Sequence, residues 1–146
     1  MNNITAALAI PQLNSIETTI EKVNENYDYL KTKLGHLTQI SFPEIKSEIR
    51  PVRDSAQMRI KSTEEFLTKL KLKLNEGGIP ISFFGGKNNT NARLYENWKF
   101  LNTSKAKLPN TKKNLSEVFD LRLPIHFSKE HIEAISKVFL EIYKSL

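Results

Sequence analysis

Apolar residues at Ile16, Ile20, Val23, Tyr27, Leu30 and Leu34 recur every three or four positions, the spacing that lines one face of an α-helix. Gly35 follows where such a helix would be capped. Upstream, Ile4, Ala6, Ala7, Leu8 and Ala9 form a helical segment that is apolar nearly all round. Pro11 lacks a backbone donor and crowds the preceding turn, so one long helix bent at Pro11 is predicted. A helix end that is apolar on every side calls for a partner on every side.

Beyond Gly35 the period changes. Leu37 to Phe42 alternates as a strand does and stops at Pro43. Val52, Asp54, Ala56, Met58 and Ile60 share one face of a second strand. Asp54 interrupts that apolar row and must lie at an exposed end or have a partner. Ser62 with Glu65 has the pattern of a capping box, opening a helix whose inner face is Phe66, Leu67, Leu70 and Leu74. Gly77-Gly78 ends it, and Ile79 to Phe84 is a third strand. Gly85 to Asn91 has no periodicity and is a loop. Tyr95, Trp98 and Leu101 suggest a helical turn, in which the sole tryptophan is expected as a core anchor. Pro109 opens a short helix that turns Leu115, Val118 and Phe119 inward, and Phe119 to Pro124 is strand-like. Ser128 caps a final helix with Ile132, Ile135, Val138, Phe139, Ile142 and Leu146 on one face. The fold class is α+β: a small, mostly antiparallel sheet covered by helices, with a long N-terminal helix.

The chain has 146 residues, a net charge of +6 and no cysteine. That length suits one compact domain, and the lack of cysteine excludes disulfide and thiolate chemistry. No apolar run approaches the roughly 20 residues of a membrane span, and the N-terminus lacks a signal-peptide pattern. A cytoplasmic protein is expected. The positive charge is interspersed with acidic residues and shows no interleaving with aromatics, which argues against nucleic-acid binding. His36, His126 and His131 are not spaced as metal ligands, so no metal site is expected. No catalytic centre assembles from recognised motifs.

The segment from Ile79 through Asn91, followed by Asn91-Ala92-Arg93-Leu94-Tyr95-Glu96-Asn97-Trp98, is the strongest candidate for ligand contact. A polar loop at a strand end is a common position for recognition, and a solvent loop turned by its glycines is the plainer alternative. Arg93 suits a carboxylate or phosphate through its fork of donors, and it is equally able to pair with Glu96 on a helical face.

Several segments, in order, resemble the DegT/DnrJ/StrS family of pyridoxal-phosphate-dependent sugar aminotransferases. Met1 to Leu13 looks like the helix that leaves that family's large domain. Arg53-Asp54-Ser55-Ala56-Gln57-Met58, Gly78 to Gly85, Arg93 to Trp98, Leu108-Pro109-Asn110-Thr111, Asp120-Leu121-Arg122-Leu123-Pro124 and Phe127 to Ile132 resemble successive segments of its C-terminal small domain. The resemblance implies a single domain over residues 1–146, with 1–34 as a linking helix and 35–146 as the body. It implies part of an enzyme that transfers an amino group to a keto sugar, commonly nucleotide-linked, with pyridoxal phosphate held by a lysine in the large domain. The partners implied are that large domain, on the same or a separate chain, a homodimeric complete enzyme and the nucleotide-sugar substrate. The matched region lies after the family's catalytic lysine and cofactor contacts. No catalytic or cofactor-binding residue is therefore expected here, and the chain alone is expected to be inactive. Phe84, Lys87, Asn91 and Arg93 are the expected substrate-facing residues. Ser82 to Asn88 echoes the family's catalytic serine-to-lysine stretch, but the residues that follow differ, and Lys87 falls in the small domain. The alternative is a non-catalytic interaction module that keeps the fold.

Overall fold

The computed structural model describes residues 2–87, 89–98 and 108–146. Helices α1 (Asn3–Asn14) and α2 (Ile16–Leu34) lead into strands β1 (Ile40–Ser41) and β2 (Ser55–Ile60), then helix α3 (Glu64–Glu76) and strand β3 (Ile81–Phe83). A single 3₁₀ turn (Tyr95–Asn97) precedes α4 (Pro109–Leu115), β4 (Val118–Arg122) and α5 (Lys129–Ser145). The strands form one antiparallel sheet in the order β1-β2-β4-β3, which bears out the α+β expectation.

The sheet has two unlike faces. Ala56, Met58 and Ile60 of β2, Ile81 and Phe83 of β3, and Phe119 and Leu121 of β4 join one core cluster. Tyr27, Leu30 and Leu34 of α2, Leu67, Leu70 and Leu74 of α3, and Ile132 and Phe139 of α5 complete that cluster. Strand side chains alternate between faces, so Gln57, Ser82 and Asp120, which are cross-strand partners in register, share the other face.

The interruption between the first two helices falls at Ser15, four residues after Pro11. The Ser15 amide and hydroxyl both bond the Gln12 carbonyl, and the helix continues through Pro11. None of α1 is buried, whereas Val23, Asn26, Tyr27, Leu30 and Leu34 of α2 are. The predicted first strand shrinks to Ile40–Ser41, because residues 35–39 form turns. Thr63, not Ser62, caps α3 by accepting from the Phe66 amide, and Glu65 pairs instead with Lys69. Ser128 caps α5 as predicted, in a capping box whose reciprocal member is His131. Leu101 of the predicted helical turn lies outside the described residues.

Helices α2 and α5 are clasped at the surface. The Tyr29 hydroxyl donates to Glu133 at 2.6 Å, and the Lys33 ammonium lies 2.6 Å from the same carboxylate. Lys33 first, then Tyr29, holds the Glu133 carboxyl below its ordinary range. The clasp thus contributes at neutral pH and is lost as acidification passes through that lowered value.

Candidate functional site

Phe84 directly follows β3 and is buried, and Gly85 comes next at a close approach. A Cβ on Gly85 would lie 2.4 Å from the Phe83 ring and 2.5 Å from the Ser116 carbonyl. Gly86 has φ 87°, a left-handed conformation that favours glycine. The two glycines turn the chain so that Lys87, exposed, lies with Phe84 at a cleft of about 600 Å³. Glu96, Lys112 and Glu117 also line it. Glu96 pairs with Lys112 at 3.0 Å and Glu117 with Arg59 at 2.5 Å.

Residues 89–98 are held by asparagine side chains. Asn89 donates to the Phe83 and Gly85 carbonyls, and its oxygen accepts from the Asn91 amide. Asn91 in turn accepts from the Arg93 amide. Asn97 donates to the carbonyls of Asn89 and Asn91, and the Trp98 indole donates to that of Ala92. Trp98 remains 37% exposed and stands on the loop, which corrects its expected place as a core anchor. Leu94 is the loop residue that goes under.

Arg93 does not pair with Glu96. Its guanidinium bonds the Asp120 carboxylate on β4 and lies 5.9 Å from the centroid of the Phe84 ring. The Arg93 side chain is 48% exposed while that of Asp120 is 3% exposed. The structure therefore joins Arg93 to Phe84 on the open sheet face. Lys87 shares the cleft with Phe84, and Asn91 lines a separate groove along β3 with Ser82 and Lys71. Asp120 is a charged residue between Phe119 and Leu121, and that break in the apolar row is the sequence signal that the second face carries something polar.

No group of three or more histidine or acidic residues among the described residues is placed to hold a metal ion. No described helix is long and apolar enough to cross a membrane.

A four-stranded antiparallel sheet with helices on one face and a tied polar loop on the other defines an α+β domain of the kind found in aminotransferases. Residues 1–139 match the DegT/DnrJ/EryC1/StrS aminotransferase family, and the chain belongs to that family. No match was found among curated proteins. Among solved structures, the chain is similar to the sugar aminotransferase Spr1654 from Streptococcus pneumoniae in its PMP form, with a TM-score of 0.77 and 17% identity over 99% of this chain and 36% of that one. A PLP form of Spr1654 also matches. The aminotransferase TlmJ from Streptoalloteichus hindustanus gives a TM-score of 0.78 at 13% identity, over 99% and 37% of the two chains. Helicobacter pylori PseC, an aminotransferase involved in the biosynthesis of pseudoaminic acid, gives 0.74 at 16% identity, over 100% and 38%. The chain thus spans little more than a third of the length of these neighbours.

Proposed function

We propose that this chain acts as the C-terminal small domain of a pyridoxal-phosphate-dependent aminotransferase whose acceptor is a keto sugar, nucleotide-linked, and that a large domain supplies the catalytic lysine. The supporting observation is the fit of nearly the whole chain onto about a third of sugar aminotransferases such as Spr1654 and PseC. In this reading residues 1–34 link the domains, residues 35–146 form the body, and the complete enzyme is a cytoplasmic homodimer.

The cofactor does not fit the residues described here. Pyridoxal phosphate needs a lysine, a carboxylate for its pyridinium nitrogen and a phosphate cradle such as a helix N-terminus. Lys87 is exposed, and Glu96 and Glu117 beside it are occupied by Lys112 and Arg59. Phe84, Lys87, Asn91 and Arg93 are instead assigned to the substrate: an aromatic ring, a cation, an amide and a guanidinium suit a sugar bearing phosphate.

The test has two arms. The chain alone, titrated with pyridoxal phosphate, reduced with borohydride and mapped, should show labelling spread over several lysines; stoichiometric labelling at Lys87 alone would sink the assignment. Joined to a large domain of the family, the chain should restore transfer from glutamate to a keto sugar. There Arg93→Ala and Lys87→Ala should raise KM about tenfold with kcat little changed, as loss of uniform binding does. Unchanged KM in both variants would return them to a solvent loop.

A further inference from the structure

Three arginines on or beside the open sheet face are paired with carboxylates, and one pair differs from the others. Arg122 and Asp54 are both exposed, and Arg59 and Glu117 are both partly so. Asp120, by contrast, is almost wholly buried while Arg93 keeps half its side chain in solvent. Exposed pairs are screened by water and contribute little. A buried carboxylate is different, because removing its cation leaves a charge that solvent cannot reach. Asp120 is further exposed to that penalty by its other oxygen, Oδ1, which is buried with no hydrogen-bond partner among the described residues. Gln57 and Ser82, its cross-strand neighbours, do not bond it.

Within the loop that carries Arg93, Leu94 is buried and Glu96 pairs with Lys112 of α4, but neither contact is a bond to β4. Asn89, Asn91 and Asn97 bond mostly within the loop and to the end of β3. They give the loop a shape but do not tie it to β4. The Arg93–Asp120 bond does so, from residue 93 to the strand at the sheet's centre.

We propose that Asp120 is a positioning residue that acts through Arg93, pinning the 89–98 loop to β4 and holding the guanidinium beside Phe84. The pin also explains why a carboxylate sits between two core residues of a strand. The inference deepens the proposed function, resting on that reading for its consequence: a guanidinium fixed before the substrate arrives loses less freedom on binding.

Hydrogen exchange of the 146-residue chain tests it. The amides of Leu94, Asn97 and Trp98 bond within the loop, while those of Ile60 and Leu123 bond across the sheet and serve as references. Asp120→Asn and Arg93→Gln should each speed exchange of the three loop amides at least tenfold and leave the references within twofold. The double variant should be no worse than either single one, because one bond is lost in each case. The emission of Trp98 should shift to the red in the same variants, and Arg122→Gln, which breaks an exposed pair, should change neither readout. Arg93→Gln alters a half-exposed side chain, so it decides the matter even if Asp120→Asn folds poorly. Unchanged loop exchange in Arg93→Gln, or additive effects in the double variant, would overturn the proposal. Loop exchange is read on the chain alone and KM on the complete enzyme, so the pin and the substrate reading fail separately.

Discussion

Gly85 shows how a single residue sets the position of the candidate site. The Phe83 ring and the Ser116 carbonyl both stand where its side chain would begin, and the carbonyl belongs to the segment leading into β4. Neither obstacle is a flexible side-chain end that can swing away. Phe83 is stacked on Phe119 at 4.5 Å between ring centroids. Gly85→Ala should therefore destabilise the chain by about 1–3 kcal/mol, the usual cost of forcing atoms into a packed site. Thermal melting checks the stability, and loop amide exchange should rise with it. A variant that melts with the parent would mean that the loop gives way freely. At Gly78 the reason for glycine differs: its φ is 82° and nothing crowds the missing side chain, so backbone conformation alone selects it.

At the scale of elements, α2, α3 and α5 were legible because their apolar residues repeat at helical spacing, and each presents that face to the sheet. Val23→Asp tests this for α2. It places an unpaired charge at a buried position and should cost on the order of 3 kcal/mol or more, read as a lowered denaturation midpoint; a parental midpoint would remove the stripe from the core. Boundaries were less legible. Ser62 and Thr63 are both acceptable caps, and the choice between them depends on which helix phase turns Leu67, Leu70 and Leu74 inward. Ser15 breaks the first helix through bonds to the Gln12 carbonyl, a geometry that its residue type permits without requiring. Of the site, the polar loop and its Arg93 were visible as composition at a strand end. The partner of Arg93 was not, because an i,i+3 pairing with Glu96 presumes a helix, and Asn91 instead accepts from the Arg93 amide in a turn. Asp120 lies 27 positions away, and only the strand order brings it there.

For the whole molecule, α1 stands apart from the packed body. Ile4 is 74% exposed and Leu8 65%, with Ile10 and Leu13 similarly open. Exposed apolar surface of this kind favours association. Leu8→Lys with Leu13→Lys should weaken concentration-dependent self-association in sedimentation velocity while leaving the melting temperature nearly unchanged, since neither side chain is buried. A clearly lowered melting temperature would show that α1 supports the body. Among the described residues, the edges of the sheet are less open than α1. On β3, the Ile81 amide donates to the Asn75 side chain and the Phe83 carbonyl accepts from Asn89, while the opposite edge is the two-residue β1 with Pro43 close behind. With one outward amide and one outward carbonyl already taken, β3 is a poorer template for another strand than a bare edge would be. A second copy meeting this one at β3 therefore finds the seam interrupted at two points, and two amide side chains stand in the way of growth into ordered cross-strand fibres.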